Sequence, residues 1–553
     1  MKKPSDCQAD ATFSTAQRGY LFLTAAVAGA AIMIIEILGA KMLAPYVGTS
    51  HFVWTAQIAV TLLALTAGYY AGGRWADRSP RPASLYLAIL AAAVYLCVAV
   101  TQVERAACFC LRFKLAAGSL LASSFLFFVP LALLALTGPF LVRLLTPVLQ
   151  NVGGSMGRLT AVSTLGSVAG TLLIGYVLVP LLPNSMTMLL TAGALMLLAA
   201  GYIAIWGRQT GPKAGTLLAL AIAAGCGVQV HAKGLLQAAS YREIYRCNSN
   251  FGQLEVFESR HKPYRYFLND NLTQGAYDTQ RRQGLGSWIY LLHDLACAYT
   301  TNISDVLVIG LGIGITPMQF SREGAQVDVV EINPAVVPLA RRCFDLQPER
   351  MNITLGDGRQ FVAECKKRYD AIVLDAFLGD GAPSHLMTRE AFMAMRRILR
   401  PDGVLVINCW GDFAAGRDFL VASLQKTLAH SFPGVCMRSS RDPGKVANVF
   451  VVASPTALTL YRPPDFGHVH PDSRTSAEET FARVVEADSH HGIVLTDDFN
   501  PADYYDAANR EESRRAMVAS MQAVASERST SQYGRKPPEG GTTNTPKRGA
   551  ICL

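Results

Sequence analysis

Seven apolar runs fill most of the first 230 residues and constrain the fold of this chain more than any other feature. A backbone inside lipid must satisfy its own hydrogen bonds, so apolar runs of about 20 residues are predicted to cross a membrane as helices. The first six runs are long enough and the seventh is marginal, which favours six crossings with the seventh run re-entrant or interfacial. The runs lie near Tyr20–Leu43, Phe52–Gly73, Ser84–Val103, Leu120–Leu145, Leu159–Leu182, Met186–Trp206 and Gly215–Val230.

Basic residues indicate which loops stay in the cytoplasm. Those that flank the runs agree on a cytoplasmic amino terminus, although Arg105, Arg112 and Lys114 argue weakly for the opposite orientation. Six crossings then return the remainder of the chain to the cytoplasmic side of a bacterial inner membrane, whereas a seventh crossing would place it outside. The agreeing residues are Lys2, Lys3, Arg18, Arg74, Arg78, Arg81, Arg143, Arg158, Arg208 and Lys213.

Composition separates the two halves of the chain. The whole sequence is 51% hydrophobic and only 16% charged, and residues 240–508 carry the balance typical of a water-soluble α/β protein. The net charge of +9 comes with no nucleic-acid recognition motif, so no nucleic-acid partner is expected. The twelve cysteines form no Cys-x-x-Cys pair, and His468, His470, His490 and His491 lack a metal-ligand spacing, so no metal is expected either.

A glycine-rich motif opens the predicted α/β part. Val306–Gly314 is an apolar run typical of a buried parallel strand, and it ends in Gly310, Gly312 and Gly314. The next apolar run ends in Glu331, about 20 residues further on. Glycines let a backbone approach a ligand, and a carboxylate at this spacing suits the two hydroxyls of a ribose. The pair of motifs therefore predicts a site for an adenosine-type nucleoside.

Two further strand ends carry acidic residues. Asp357 and Gly358 follow the predicted strand at 353–355, and Asp375 follows the strand at 369–374. Strands that alternate with helices predict a doubly wound sheet, and ligands of such sheets bind outside the carboxyl ends of the strands. We expect Asp357 to accept a hydrogen bond from an adenine amino group, and Asp375 to hold an ammonium group or take a proton from an amine.

Together, VLVIGLGIG, VVEINP, LGDGRQF, YDAIVLDAF and LTDDFNPAD resemble the spermidine synthase family. The resemblance covers roughly Tyr241 to Tyr505. Within the family, the chain is similar to a bacterial branch in which this domain follows a multi-span membrane segment. It implies the Rossmann-like fold of S-adenosylmethionine-dependent methyltransferases and transfer of an aminopropyl group from decarboxylated S-adenosylmethionine to putrescine. It also implies that Asp375 helps to deprotonate the attacking amine.

The chain departs from the family pattern on the amine side. Ile313 stands where the family has an aspartate between the loop glycines, Tyr290 is followed by two leucines instead of His and Glu, and Tyr241 replaces a glutamine. The adenosine side is kept, whereas the diamine side is largely lost. The acceptor therefore need not be putrescine. The predicted site comprises Asp375 as the catalytic residue; Gly310, Gly312, Gly314, Glu331, Asp357 and Gly358 at the cofactor; and Tyr241, Gln274, Tyr290, Ile313, His385, Asp497 and Asp498 towards the substrate.

These patterns predict five segments: a cytoplasmic tail (1–19), a membrane domain (20–230), a small β subdomain with a helix (240–300), a nucleoside-binding transferase domain (301–508) and a helix end with a disordered tail (509–553). The main hypothesis is an aminopropyltransferase that uses S-adenosylmethionine or its decarboxylated form. Methyl transfer is one alternative. A polyamine transporter or nucleoside sensor is another, because residues 72–78, GGRWADR, resemble a transporter loop. The expected partners are a small amine and the lipid bilayer, and a homodimer is left open.

Overall fold

The computed structural model describes residues 13–48, 50–146, 152–207, 222–229, 240–377 and 381–517. The chain divides into two compact units. The first holds most of residues 1–233, and the second holds residues 234–553 with the short segments 44–51 and 111–115. Residues 518–553 of the predicted segment 509–553, most of the amino-terminal tail and half of the run Gly215–Val230 lie outside the described residues, although residues 222–229 are helical.

Six helices among the described residues are long and apolar enough to cross a membrane, by length and composition. This number matches the six long runs of the sequence. Two of these helices contain a single π-helical turn, at Ser124–Phe128 and at Ile174–Leu178. The helices are α1 (Thr15–Val47), α2 (His51–Arg78), α3 (Pro82–Cys110), α4 (Leu115–Leu145), α5 (Gly153–Leu181) and α6 (Asn184–Trp206).

Small residues let α1 and α5 approach each other closely. A Cβ atom added at Gly166 would lie 2.0 Å from the carbonyl oxygen of Ala26, and one at Gly170 would lie 2.6 Å from that of Ala30. Both glycines therefore leave room for the backbone of the neighbouring helix. A glycine pair four residues apart at a helix crossing is typical of helices that associate within lipid.

A five-stranded antiparallel sheet begins the second unit, and its strands pair in sequence order from β1 to β5. Asp270 and Asn271 adopt positive φ angles of 47° and 63° in the turn between β3 and β4. The strands are β1 (Tyr241–Ser249), β2 (Gly252–Ser259), β3 (Tyr264–Asn269), β4 (Leu272–Asp278) and β5 (Gln283–Gly284).

An eight-stranded sheet follows, in the order β13-β11-β12-β10-β9-β6-β7-β8. The run from β10 to β8 is parallel, as predicted. Strand β12 is antiparallel to β10 and β11, because the connection from β11 to β12 is far shorter than the roughly twelve residues that a parallel crossover needs. The strands are β6 (Asp305–Ile309), β7 (Gln326–Glu331), β8 (Asn352–Leu355), β9 (Tyr369–Leu374), β10 (Leu399–Gly411), β11 (Gly434–Ser439), β12 (Ala447–Ser454) and β13 (Val484–Val485).

Helices cover both faces of the large sheet, which explains why its central strands are apolar on both sides. Val306 and Val308 of β6 belong to one apolar core, and Leu307 and Ile309 belong to the other. The alternation follows from the period of two in a strand. The helices are α7 (Ser287–Tyr299), α8 (Ile315–Arg322), α9 (Val336–Cys343), α10 (Gly358–Glu364), α11 (Arg389–Ile398), α12 (Phe419–Ala429), α13 (Pro471–Ala482) and α14 (Ala502–Tyr505).

Candidate functional site

The glycine loop between β6 and α8 has the backbone conformation that its sequence predicts. Gly310, Gly312 and Gly314 have φ angles of 98°, 53° and 83°, in a region that side chains disfavour. A Cβ at Gly310 would lie 2.2 Å from the carbonyl oxygen of Asp375, whereas one at Gly312 would meet open space. The first glycine therefore allows two strand ends to meet, and Gly312 leaves the loop backbone open to a ligand.

Glu331 ends β7 and turns its carboxylate towards this loop. One oxygen, Oε2, accepts a hydrogen bond from the Leu311 amide at 2.9 Å, and Oε1 accepts one from the Asn333 amide at 2.8 Å. Burial raises the pKa of Glu331, and these two amides lower it part of the way back. Each carboxylate oxygen has a further lone pair, so the bonds to the loop leave acceptor capacity for two hydroxyl groups.

Asp375 follows β9 at the centre of the parallel strands. Its backbone amide donates to Ile309 at 2.9 Å, which ties it to the end of β6. Its Oδ1 accepts a hydrogen bond from Nδ2 of Asn408 at 2.9 Å. Burial raises the pKa of Asp375 to about 6, although the bond from Asn408 opposes the rise. A carboxylate that titrates near neutral pH is suited to exchange a proton with a substrate.

Asp357 has a structural role in addition to the binding role predicted for it. Its Oδ1 accepts hydrogen bonds from the amides of Arg359 and Gln360 at 2.7 and 3.1 Å, so Asp357 caps the amino end of α10. Its Oδ2 lies 3.0 Å from Nε2 of His385. Gly358 packs against Ile309, because a Cβ there would lie 2.5 Å from the Ile309 Cγ2. The structure thus joins two predicted site residues, Asp357 and His385, in one pair.

Ile313 lies against the small sheet rather than in solvent. It is 3% exposed. A Cβ added at Gly275 of β4 would lie 2.9 Å from its Cγ2 atom. The pairing of β3 with β4 shifts register there, which leaves Gln274 as the extra residue of a bulge. Ile313 therefore makes an apolar contact between the glycine loop and the small sheet.

Three of the remaining predicted substrate-side residues, Tyr241, Tyr290 and Asp497, contact side chains or backbone of their own domain. Tyr241 begins β1, and its ring lies 5.8 Å from that of Tyr266, while the hydroxyl of Tyr290 accepts a hydrogen bond from the Gly284 amide at 2.9 Å. Asp497 accepts from Thr388 at 2.6 Å and from Arg359 at 2.8 Å, so it fastens the late loop to α10 and α11; the neighbouring Asp498 is exposed.

Two residues near the site were not singled out from the sequence. Asn408 is buried and also accepts a hydrogen bond from Asn448 at 3.1 Å, which fixes the amide that faces Asp375. The rule that located Asp375 could have found it, because Asn408 directly follows the apolar run at 404–407. Gly275 gave no such signal, since its close neighbour Ile313 is remote in sequence.

Part of this chain is similar to known proteins. Residues 290–440 match the Spermine/spermidine synthase domain. A polyamine aminopropyltransferase of Vibrio vulnificus is 39% identical over 109 residues, which cover 19% of this chain and 36% of that protein. An N-terminal histidine N-methyltransferase of Emericella nidulans is 38% identical over 135 residues, which cover 24% of each protein. The chain thus spans well under half the length of these two relatives.

Among solved structures, a probable spermidine synthase from Corynebacterium glutamicum covers 46% of this chain and 91% of its own, at 18% identity and a TM-score of 0.35. The matched residues 290–440 include the glycine loop, Glu331, Asp357 and Asp375. Residues 290–440 of this chain are therefore similar to the Spermine/spermidine synthase domain.

Proposed function

We propose that this chain is a membrane-anchored transferase that binds S-adenosylmethionine or its decarboxylated form and transfers an aminopropyl group to an amine. The observation that carries the proposal is the meeting of three strand ends. Gly310 contacts the backbone of Asp375, and Glu331 accepts a hydrogen bond from the loop amide next to Gly310. This edge of a parallel sheet is where nucleoside ligands bind in related architectures.

The residues present fit the adenosine part of such a donor. The open side of Gly312 allows close approach to the backbone, and Glu331 has lone pairs for two ribose hydroxyls. Asp357 keeps one oxygen paired with His385, and a rotation of that exposed imidazole would free it for an adenine amino group. These three contacts would hold the donor while its sulfonium end extends towards Asp375.

Asp375 would act as the general base. An amine attacks the carbon of the aminopropyl group next to the sulfonium, the new C–N bond forms, and the electron pair of the breaking C–S bond goes to sulfur as a neutral thioether. The proton lost by the amine goes to Asp375, which is ionised above its pKa of about 6. Positioned proton transfer contributes roughly 10²- to 10⁴-fold to a rate.

The acceptor is the part of the proposal in which this chain differs from its family. Ile313 is buried against Gly275, so no carboxylate is available at that point to hold a second ammonium group. A buried cation without an acidic partner is unfavourable. We therefore favour an amine acceptor that needs only one carboxylate, supplied by Asp375, over a diamine held at both ends.

Labelled donors provide the test. The full-length chain in detergent is incubated with a panel of amines and decarboxylated S-adenosylmethionine that carries label in its aminopropyl group. We expect label in the amine product, loss of at least 10²-fold in rate for Asp375→Asn, and an unchanged rate for Asp402→Asn, a control at an exposed carboxylate. Donor binding without any transfer would contradict the proposal and favour the sensor hypothesis.

Methyl transfer is the second candidate, and two observations favour it. One relative of this domain is named as an N-methyltransferase, and the apolar Ile313 occupies the place of the family's loop aspartate. The same reaction is therefore run with S-adenosylmethionine labelled in its methyl group. Methyl label in the amine, with no transfer of the aminopropyl label, would replace the leading proposal by this one.

Membrane anchorage with the α/β part in the cytoplasm belongs to the same proposal. It is supported by the six long apolar helices and by the basic residues that flank the apolar runs. A fluorescent-protein fusion after the final residue, of a type that matures only in the cytoplasm, should fluoresce in the membrane fraction of bacterial cells. A dark fusion at equal abundance would place the α/β part outside.

A further inference from the structure

A second cluster of chemically active side chains surrounds His293 on α7. Its Nδ1 lies 3.0 Å from Oδ1 of Asp294, and its Nε2 lies 3.0 Å from Oε2 of Glu323 and 3.5 Å from Sγ of Cys297. Nε2 of His468 lies 3.0 Å from the same Asp294 oxygen. Nothing in the proposed transfer reaction uses these residues.

The ring of His293 is buried, and so is Asp294, which is 4% exposed. The second carboxylate oxygen of Asp294 is buried and has no hydrogen-bond partner among the described residues. A buried polar atom without a partner is costly, so the arrangement has unused capacity for a cation or a donor. The unpaired oxygen belongs to Asp294, on the Nδ1 side of the ring, whereas Glu323 and Cys297 lie on the Nε2 side.

The two ring nitrogens of His293 have different tasks. A carboxylate only accepts hydrogen bonds, so Nδ1 donates its proton to Asp294. In the neutral imidazole this leaves Nε2 as a bare acceptor that faces the carboxylate of Glu323 and the thiol of Cys297. Either a second ring proton or a metal cation must lie between Nε2 and Glu323. A carboxylate behind the ring is the arrangement that orients metal-binding histidines.

The distance from Nε2 to Sγ suits a tetrahedral ion, whereas Nε2 and Oε2 of Glu323, at 3.0 Å, would move apart to the roughly 3.4 Å of tetrahedral ligands when an ion binds. The ligand atoms of His293, Cys297 and Glu323 all lie within 4.8 Å of one another. Zinc bonds of about 2.1 Å to nitrogen and 2.3 Å to sulfur place those two ligands about 3.5 Å apart. The observed distance from Nε2 to Sγ is 3.5 Å. The Glu323 side chain is half exposed, so an ion can reach the cluster from solvent.

We propose that His293, Cys297 and Glu323 bind a divalent cation of the zinc class, with water as the fourth ligand and Asp294 and His468 behind the imidazole. This departs from the sequence-based expectation of no metal, which rested on cysteine pairs and on the later histidines. The informative spacing is instead His293-x₃-Cys297 on one helix face, completed by a glutamate that is remote in sequence.

Such an ion would join the two helices that flank the glycine loop. His293 and Cys297 lie on α7, which precedes β6, and Glu323 directly follows α8, which begins at the loop. A cross-link between these helices restrains the ends of the segment that contains the loop. The role that we assign to the ion is to restrain the loop, and its occupancy would set how rigidly the loop meets a ligand.

Cobalt provides a direct probe because a cobalt–thiolate bond absorbs in the near ultraviolet. The full-length chain in detergent is treated with a chelator and titrated with Co²⁺, and Zn²⁺ is then added as competitor. We expect a thiolate-to-cobalt band that saturates at one equivalent and disappears with Zn²⁺. Cys297→Ser should abolish the band, whereas Cys365→Ser, at a half-buried thiol elsewhere in the same domain, should retain it.

Two further variants keep the test decisive if Cys297→Ser folds poorly. Glu323→Gln changes a half-exposed side chain and should weaken Co²⁺ binding at least tenfold while the band remains. Asp294→Asn should weaken it roughly 10- to 100-fold, as for other groups behind a metal-bound histidine. Absence of the band in the wild type, or equal Co²⁺ affinity in the wild type and Glu323→Gln, would overturn the proposal.

Discussion

The substitution Asp375→Asn separates the chemistry of this carboxylate from its effect on folding. The amide is nearly isosteric and can still accept the hydrogen bond from Asn408. It cannot take a proton from an amine, so the transfer rate should fall by at least about 10²-fold. It also cannot be charged, so the folded chain no longer has to bury a carboxylate. We therefore expect an inactive protein that is more stable than the wild type at neutral pH.

The magnitude follows from the pKa of Asp375, which burial raises from 3.8 to about 6. The folded state then binds more protons than the unfolded state at intermediate pH, so wild-type stability falls as pH rises from about 4 to 6 and stays lower above that. A shift of about 2 pKa units corresponds to about 3 kcal/mol at pH 7.5. The difference should shrink to about 1 kcal/mol at pH 4.5 and vanish below pH 3.

Urea unfolding of the full-length chain in detergent measures this difference. Trp288 and Trp410 belong to the α/β part and report its unfolding by fluorescence. Titrations of wild type and Asp375→Asn at pH 7.5 and 4.5 give the free energy of unfolding at each pH. Asp402→Asn, at an exposed position, serves as the control and should follow the wild type.

A stability gain that is the same at both pH values would show that burial of charge is not its cause. A loss of stability in Asp375→Asn at pH 7.5 would be more serious, because it would mean that the carboxylate is held by favourable contacts. Either result would refute the argument that Asp375 is kept at a cost in stability for its chemistry.

Three further substitutions test the glycine loop and the apolar helices. Glu331→Gln should weaken donor binding in equilibrium dialysis by about tenfold or more, because a charged acceptor is worth about 1.5–3 kcal/mol, and Glu349→Gln should not. Gly310→Ala should abolish donor binding and lower the free energy of unfolding by about 1–3 kcal/mol, since it combines a positive φ with a close backbone contact. Gly166→Ala should lower the melting temperature in detergent, whereas Gly157→Ala, which meets open space on the same helix, should not.

Each of these three has a clear contrary outcome. Equal donor affinity in Glu331→Gln and Glu349→Gln would remove the ribose contact from the proposal. Normal donor binding by Gly310→Ala would show that the loop can adopt another path. Equal melting of Gly166→Ala and Gly157→Ala would mean that the close contact with Ala26 contributes nothing to the helix bundle.

The parts of the fold that sequence predicted well are those with local causes. Strand β9 has the predicted bounds, Tyr369–Leu374, because a continuous apolar run followed by Asp375 is typical of a buried strand with a polar end. The six long apolar helices follow from run length alone. The order of the strand-end groups could be anticipated because parallel strands end at one edge of a sheet.

The parts that sequence missed depend on contacts between remote segments. The antiparallel position of β12 follows from its pairing with β11, and the sequence predicted neither of these strands. Glu323 meets His293 only because α7 and α8 pack together, and no periodicity in either helix indicates that pair. Asp357 shows a different limit: the sequence suggested one role for it, and the structure adds that of a helix cap. Its predicted contact with adenine stays a prediction.

The contact between Ile313 and Gly275 has an evolutionary consequence. Gly275 of β4 has no side chain at the point where the branched side chain of Ile313 contacts the backbone. Neither position can therefore change freely without a change at the other. Homologues with a bulky residue at the position of Gly275 should carry a smaller or polar residue in the loop, and those with a branched residue in the loop should keep glycine on the strand. The two positions should therefore covary. Their pairing would divide the lineages that have an acidic residue at the position of Ile313 from those that have an apolar one.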